Sequence, residues 1–266
     1  MDTQSYLQKN KDAWNKKTAF HLQSPFYDQP GFLKGRNSLN NIELDLLGDI
    51  RDKKILHLQC HFGQDTISLA RMGAHVTGVD FSEEAITIAN ETARQINATA
   101  TFICTDIYNL PGQLDEKFDI VFTSYGTIGW LPDINKWAEV VSHFLKDEGI
   151  FVFAEFHPVV WMFDNDFKNI EYNYFKDEPI IEVETGTYAD KDAGITSETI
   201  SWNHSLSEVM NSLLAQKIKI LSFNEYDYSP YSCFKGMTEI APGKFRISHL
   251  QNKIPMVYSI KAIKEK

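Results

Sequence analysis

Two acidic side chains follow directly after apolar stretches and are candidates for binding a nucleoside-like group. Asp80 comes after HVTGV, and Asp106 follows FICT. Asp80 lies 17 residues beyond Gly63, and an acid at about this distance from a glycine turn is placed to accept hydrogen bonds from ribose hydroxyls. Since Ser82 is available to cap the next helix, capping is the weaker interpretation of Asp80. We therefore predict that Asp80 binds ribose and that Asp106 binds on the adenine side.

Three side chains near the ends of other apolar runs could take a proton. Glu155 and His157 end the run GIFVFAEF and its extension, and Tyr125 follows FTS. Imidazole titrates near neutral pH, which suits a general base. Pro158 biases His157 towards an extended backbone. Each of these side chains could equally bond a neighbouring loop in a purely structural role, and the sequence leaves both interpretations open.

A metal site at His57, Cys60 and His61 is the alternative use of this part of the chain. Imidazole and thiolate are zinc ligands. Side chains 57 and 61 would share one face of a continuing strand while Cys60 faced the other, and no second group of ligands is nearby in sequence. We predict no metal here, with His57 buried and hydrogen-bonded and His61 lining a loop.

The elements that must position these residues alternate regularly from residue 53 onwards. The pattern predicts five apolar strands, each followed by a helix or a loop, and glycine or capping residues mark several ends. The strands are expected at 54–59, 74–79, 100–104, 118–123 and 149–156, and the helices at 65–72, 83–96 and 134–145. Such alternation indicates right-handed βαβ units in a doubly wound, mostly parallel sheet. Ligands of such sheets bind at the carboxyl ends of the strands.

The flanking segments are less regular. A helix is predicted at 7–20 and a short one at 40–47, with a loop between them, and the aromatic, acidic segment after His157 is predicted to be an inserted lid. Further on, the pattern predicts strands at 196–202, 218–226 and 255–263 and a helix at 207–215. We therefore expect one domain made of a helical cap (1–52), an α/β core (53–157), the lid (158–195) and the remainder of the core sheet (196–266).

Charge and cysteine content restrict the partners. The 266 residues include 36 acidic and 26 basic side chains, giving a net charge of −10, which disfavours nucleic acid and anionic membranes. Three widely spaced cysteines make no disulfide framework, so a cytoplasmic location is expected. The polar N-terminus shows no secretory signal, and no apolar stretch reaches the ~20 residues of a membrane helix. A small-molecule partner is expected, and nothing indicates the oligomeric state.

The runs KILHLQCHFG, VTGVDFS, FICTDIYNLP and FDIVFTSYG together resemble the class I S-adenosylmethionine-dependent methyltransferases, of the type 11/12-like kind. The resemblance covers residues 53–156, and the last two predicted strands fit the antiparallel seventh strand of that fold. It implies a Rossmann-like sheet of seven strands, S-adenosylmethionine as the cofactor and methyl transfer as the reaction. The cofactor-binding residues that it implies are Gln59, Cys60, His61, Gly63, Asp80, Phe81, Asp106, Ile107 and Thr123.

The sequence departs from the family in its first turn. His57 stands where the family has an acid, and Gln59 and His61 stand where it has glycines, while Gly63 is kept. Dinucleotide cofactors carry a pyrophosphate that needs several glycines, whereas S-adenosylmethionine has no phosphate. The missing glycines therefore argue against a dinucleotide more strongly than against S-adenosylmethionine.

The predicted function is methyl transfer from S-adenosylmethionine to a small-molecule acceptor. The reaction is an in-line displacement that needs proximity, orientation and a base where the acceptor must lose a proton; His157, Glu155 and Tyr125 are the catalytic candidates. Residues 123–126 lack the Asn/Asp-Pro-Pro-aromatic run found in enzymes that methylate nucleic-acid bases. A non-catalytic S-adenosylmethionine-binding regulator and, less favoured, a nucleotide-dependent oxidoreductase are the alternatives.

Overall fold

The computed structural model describes residues 3–266, which begin with three helices and continue into an α/β core. The N-terminal helices are α1 (Thr3–Gln23), α2 (Gln29–Leu33) and α3 (Asn41–Leu47). The core then runs through β1 (Lys54–Leu58), α4 (Gln64–Arg71), β2 (His75–Asp80), α5 (Glu83–Gln95), β3 (Ala100–Cys104), β4 (Phe118–Ser124), α6 (Ile134–Phe144) and β5 (Leu145–Phe156). A short 3₁₀ helix, Ile107–Gly112, follows β3.

The remaining elements are a lid and the last strands of the core. They are β6 (Ile180–Thr185), β7 (Thr196–Ser201), α7 (Leu206–Ala215), β8 (Ile218–Tyr226), β9 (Met237–Ala241), β10 (Lys244–Ile247) and β11 (Val257–Lys264). Seven strands form the main sheet in the order β3-β2-β1-β4-β5-β11-β8. The first five are parallel, and β11 is antiparallel to both of its neighbours. The predicted doubly wound, mostly parallel sheet of seven strands is confirmed.

Both faces of the sheet are covered, which explains the almost continuous apolar strands. On one face, α6 and α7 pack through Trp137 and Leu213 against Val121 and Phe151. On the other face, α3 and α4 bury Leu46 and Leu69 against Ile55 and Phe122. Because the helices change face between β1 and β4, the carboxyl ends of these two neighbouring strands frame a crevice.

The first strand predicted after the lid does not belong to the core sheet. The strand predicted at 196–202 exists as β7, but it pairs with β6 in a separate two-stranded antiparallel sheet and is not part of the core. The lid therefore extends beyond residue 195, and the core resumes near α7. A second small hairpin, β9–β10, lies between the predicted strands 218–226 and 255–263, where the sequence pattern predicts no element. Alternation of apolar and polar residues indicates a strand with one buried face, but it does not show which strand is its neighbour.

The N-terminal segment is more helical than predicted. Helix α1 reaches from residue 3 to residue 23, and α2 begins within the predicted loop, where Asp28 accepts a hydrogen bond from Gly31 N. Pro30 is tolerated because it lies in the first turn of α2. Within residues 3–266, no helix combines the length and the apolar character that a bilayer crossing requires.

Candidate functional site

A cavity of about 760 Å³ lies over the carboxyl ends of β1 to β5. Its floor consists of the turns that follow these strands, and its cover consists of α1, the segment after α1 and the β6–β7 hairpin. The cavity thus occupies the crevice at the β1/β4 switch point. Its volume falls within the ~300–1,000 Å³ of small-molecule and cofactor sites.

The turn after β1 keeps a glycine-like backbone although two of its residues have side chains. Gln59 and His61 adopt φ angles of 56° and 50°, and Gly63 adopts 77°. Left-handed backbone costs a residue with a Cβ about 1 kcal/mol or more. The Gln59 amide offsets part of this cost by donating to Thr127 O at 2.8 Å. The turn therefore has the shape that the family obtains with glycines.

Asp80 ends β2 and holds this turn in place. Its Oδ2 accepts a hydrogen bond of 2.8 Å from His61 N, and its Oδ1 accepts one of 3.0 Å from Ser82 N. Burial raises the pKa of the Asp80 carboxyl to about 6, while these backbone donors lower it. The side chain lines the cavity, so a ligand hydroxyl can reach acceptor positions that the backbone leaves free.

The next strand places a second acid beside an apolar wall. Asp106 Oδ1 accepts a hydrogen bond from Tyr108 N at 2.9 Å and thereby caps the 3₁₀ helix. Phe81 and Ile107 line the cavity beside it. This end offers an apolar slot with a carboxylate at its edge, which is the pattern that the sequence predicted for an adenine.

Three predicted cofactor contacts differ in the structure from their expected form. A Cβ on Gly63 would lie 2.6 Å from Phe102 Cε1 and 2.9 Å from Ala89 Cβ, so core packing already requires the glycine. The Cys60 thiol is buried and lies against Gly78, where an added Cβ would be 2.9 Å from Sγ. Thr123 is fully buried in the sheet and donates to Leu58 O at 3.2 Å.

At the end of β4 it is the last residue that lines the cavity, and in β1 the ring of His57 is already hydrogen-bonded. Ser124, the neighbour of Thr123, lines the cavity. His57 is buried, and its Nδ1 lies 2.8 Å from Thr66 Oγ1. Burial lowers the pKa of His57 to about 3, so this ring is neutral and structural, as expected from the sequence.

The carboxylate of Glu155 is hydrogen-bonded mainly to the turn after β4. Its carboxylate accepts hydrogen bonds from the backbone N–H groups of Gly126, Thr127 at 2.7 Å, Ile128 at 3.3 Å and Phe156 at 2.6 Å, and from Thr127 Oγ1 at 3.0 Å. Burial raises the pKa of the Glu155 carboxyl, and these donors lower it. Five donors leave little capacity for a substrate proton, so the geometry supports a positioning role.

His157 is a poor base on geometric grounds, which corrects the leading expectation from the sequence. Its Nε2 lies 3.0 Å from Glu225 Oε1, and its Nδ1 accepts a hydrogen bond from Val159 N at 3.1 Å. Both ring nitrogens are therefore used, and only 3% of the residue is exposed. Burial lowers the pKa of His157, against the opposing effect of Glu225. The position at the end of a strand suggested a base, but both ring nitrogens are hydrogen-bonded, one to the lid backbone at Val159 and one to Glu225 of β8.

Tyr125 lies on the cavity wall, but its hydroxyl is engaged. Its Oη donates to Glu43 Oε2 at 2.8 Å, and burial raises the pKa of its phenol well above the ordinary value. A phenol held in this way is a neutral donor rather than a base. Tyr125 therefore shapes the site through its ring and fixes Glu43 of α3.

The sequence did not single out Trp14 and Tyr188, which cover the cavity together with Tyr27, while His21 packs beside them. His21 and Trp14 come from α1, Tyr27 comes from the following loop, and Tyr188 comes from the lid. His21 Nδ1 lies 3.0 Å from His61 Nε2, Tyr27 Oη bonds Tyr188 Oη, and the Trp14 ring packs edge-on against His61 at 5.3 Å. Burial, followed by the charge of Lys17, lowers the pKa of His21 to about 3, so this ring is neutral. The density of aromatic residues before residue 36 was the one available signal.

A family model described as a methyltransferase domain matches residues 55–149. A malonyl-[acyl-carrier protein] O-methyltransferase of Bacillus anthracis is 34% identical over 105 residues, covering 39% of this chain and 37% of that protein. A ubiquinone biosynthesis O-methyltransferase of Idiomarina loihiensis is 28% identical over 151 residues, covering 55% of this chain and 62% of that protein. The chain thus spans less than two thirds of the length of either relative.

Solved structures extend the likeness over the whole chain. An S-adenosylmethionine-dependent methyltransferase of Methanosarcina mazei matches with a TM-score of 0.59 at 19% identity, covering 85% of this chain and 98% of the other. A complex of DhpI with SAH matches with a TM-score of 0.58 at 16% identity and full coverage of both chains. At these identities the matches establish the fold. The domain match in turn shows that residues 55–149 resemble a methyltransferase domain, in agreement with the resemblance seen in the sequence.

Proposed function

We propose that this chain, whose residues 55–149 are a methyltransferase domain of the class I S-adenosylmethionine-dependent kind, transfers a methyl group from that cofactor to a small-molecule acceptor. The observation that carries the proposal is the turn after β1. It keeps left-handed backbone at Gln59, His61 and Gly63 and is bonded to Asp80 at the end of β2. Because residues with side chains adopt this backbone only at an energetic cost, its retention at Gln59 and His61 indicates that the shape of the turn serves binding.

Each end of the cofactor has matching residues. Asp80 accepts hydrogen bonds from the ribose hydroxyls, Phe81 and Ile107 enclose the adenine, and Asp106 accepts from its exocyclic amine. The turn 59–63 takes the amino-acid end, where backbone groups can approach closely. S-adenosylmethionine supplies an activated methyl group on a sulfonium.

The protein itself contributes orientation and exclusion of water. Glu155 fixes the turn 126–128 below the acceptor end of the cavity. Helix α1 and the β6–β7 hairpin cover the cavity from above. Holding donor and acceptor in line and removing bulk water are the main requirements of a methyl transfer whose methyl group is already activated.

The relatives do not identify the methyl acceptor of this chain. The match to the domain model ends at residue 149, whereas the acceptor end is built by α1, the lid and the loop after β8. We propose a small molecule because the cavity is covered on several sides and the net charge of −10 opposes nucleic acid. A cytoplasmic location remains part of the proposal, supported by three cysteines without a disulfide.

The test is a transfer assay with methyl-labelled S-adenosylmethionine and a panel of phenols, amines, thiols and carboxylic acids. We expect label in one acceptor class and an equal amount of S-adenosylhomocysteine, with both lost in Asp80→Asn. Cofactor binding with no transfer to any class would favour the non-catalytic regulator. Binding of NAD but not of S-adenosylhomocysteine would favour the oxidoreductase.

A further inference from the structure

One end of the cavity is a chamber walled by aromatic rings. Tyr125 packs edge-on against Tyr231 at 5.2 Å, Tyr231 stacks on Phe26 at 5.6 Å, and Phe26 contacts Tyr27 and Tyr188 at 5.1 and 5.4 Å. All five residues line the cavity. They come from the segment after α1, the end of β4, the lid and the loop after β8, so the chamber exists only in the folded protein. We call these five residues the aromatic chamber.

A weakly bonded carboxylate faces the aromatic chamber. Asp65 lies in the first turn of α4, lines the cavity and is only half-buried. Its Oδ2 accepts a long hydrogen bond of 3.4 Å from Ser124 Oγ, which spans the crevice between β1 and β4. Burial raises the pKa of the Asp65 carboxyl, and the hydroxyls of Ser38 and Ser124 lower it. The bonding contrasts with that of Glu155, which five donors saturate.

The charge of Asp65 affects three tyrosines of the aromatic chamber. Burial raises the pKa of Tyr27, Tyr125 and Tyr231, and the charge of Asp65 raises each of them further. Asp65 lines the same cavity as these three rings, and Ser124, which donates to it, is the chain neighbour of Tyr125. Aromatic faces attract cations, and the attraction grows when the site is shielded from water.

The surrounding charges favour a cation over an anion. Glu43 lies behind Tyr125, and burial, followed by the charge of Asp65, raises its pKa to about 7. Arg36 is the nearby cation that lowers the pKa of Asp65, but its Nε pairs with Asp28 Oδ2 at 3.2 Å. An anionic acceptor beside Asp65 would be repelled by its charge, and of the basic side chains that line the cavity within residues 3–266, only Lys191, across the lid, has no ion pair and is free to offset the cost of desolvation.

We propose that the acceptor is an amine with an apolar body, that Asp65 binds its ammonium group within the aromatic chamber, and that Asp65 then takes its proton. This inference rests on the proposed function. The ammonium gives one proton to the carboxylate, and the freed lone pair attacks the methyl carbon. The carbon–sulfur bond breaks with its electron pair going to sulfur, which leaves a methylammonium product, S-adenosylhomocysteine and protonated Asp65, which releases its proton to water.

The probe is phenethylamine, compared with the neutral 2-phenylethanol and the anionic phenylacetate by titration calorimetry on protein saturated with S-adenosylhomocysteine. We expect phenethylamine to bind at least tenfold more tightly than either comparison compound. Asp65→Asn should remove this preference while leaving the affinity for S-adenosylhomocysteine within about twofold. Tyr231→Leu should weaken phenethylamine binding without reversing the order.

The matched control is Glu182→Gln. Glu182 also lines the cavity, but its carboxylate already accepts a hydrogen bond from Tyr172 Oη at 2.9 Å. This variant should keep the full preference. Equal binding of the three probes to the wild type, no binding of phenethylamine, or an unchanged preference in Asp65→Asn would overturn the amine site. Failure of S-adenosylhomocysteine to bind would instead count against the proposed function, and the same three probes on the cofactor-free protein would still decide the amine site.

Discussion

At the scale of single residues, the account depends on which carboxylates are free and which are already bonded. Asp80, Glu155 and Asp65 all lie at strand or turn ends around one cavity. Asp80 is bonded by backbone N–H groups, Glu155 by five donors, and Asp65 by the hydroxyls of Ser38 and, at 3.4 Å, Ser124. Residue type and strand-end position suggested the first two, but only the count of donors separates a ligand-binding carboxylate from a structural one.

Asp80 makes cofactor binding depend on pH. Its carboxylate must be ionised to accept ribose hydroxyls, and its pKa is raised to about 6 in the folded protein. Binding is therefore nearly full at pH 7, half-maximal near pH 6, where Asp80 is half ionised, and lost as the pH falls further. Between pH 7 and pH 5, we expect the Kd for S-adenosylhomocysteine to rise about tenfold.

The variant Asp80→Asn supplies the control for this pH dependence. Asparagine keeps one neutral acceptor oxygen and replaces the other by an NH₂ donor, so at least one charge-assisted hydrogen bond worth about 1.5–3 kcal/mol is lost and binding should weaken at least tenfold at pH 7. The remaining affinity should be flat between pH 5 and pH 7. A variant that keeps the wild-type slope would show that another group causes it.

Glu155→Gln tests the positioning role. The amide NH₂ of glutamine would face the backbone N–H groups of 126–128 that now donate to the carboxylate, so we expect the free energy of unfolding to fall by about 2 kcal/mol or more. Urea unfolding measures this change. Glu139→Gln, on the exposed face of α6, should leave stability within about 0.5 kcal/mol. If the Glu155→Gln protein is as stable as the wild type, Glu155 does not position the turn and is again a candidate general base.

At the scale of elements, α1 links the lid to the core. Asn10 is buried and pairs with β7 like a neighbouring strand, because its Nδ2 donates to Ile200 O at 2.7 Å and its Oδ1 accepts from Ile200 N at 2.9 Å. Lys17 pairs with Glu184 of β6, and Lys11 pairs with Glu83 of α5. Movement of the lid and of α1 must therefore be coupled.

The substitution Asn10→Ala should release this coupling. Two backbone groups of Ile200 lose their partners, each at a cost of about 1–3 kcal/mol if they stay buried. We expect faster amide hydrogen exchange throughout β6 and β7 and in α1, with the core sheet unchanged. Gln8→Ala, which removes an exposed side chain bonded to Asp12, should leave the exchange unchanged. Protection of the hairpin equal to that of the wild type would mean that α1 does not hold it.

The elements show where sequence patterns succeed and where they fail. The strands β1, β2, β4 and β5 were predictable because most of their residues are buried on both faces and their lengths are bounded by glycines and caps, while the edge strand β3 stood out by its apolar run alone. The hairpins β6–β7 and β9–β10 were not, since each buries one face of a small sheet whose partner strand cannot be read from periodicity. β7 was consequently assigned to the wrong sheet.

At the scale of the whole molecule, one cavity joins segments that are far apart in the chain. The proposed cofactor half lies on turns within residues 57–107, where each candidate side chain follows a strand closely enough for the sequence to single it out. The acceptor half combines Phe26, Asp65, Tyr188 and Tyr231, which no local pattern brings together. Asp65 in particular looks like an ordinary acid in the first turn of a helix, where the helix dipole alone would explain it.

The central claim is that S-adenosylmethionine occupies the strand ends of this sheet, and isothermal titration of the wild-type chain with S-adenosylhomocysteine and with NAD tests it most directly. The account predicts saturable binding of one S-adenosylhomocysteine per chain at pH 7, and no heat of binding with NAD. The absence of S-adenosylhomocysteine binding, or tighter binding of NAD, would contradict it.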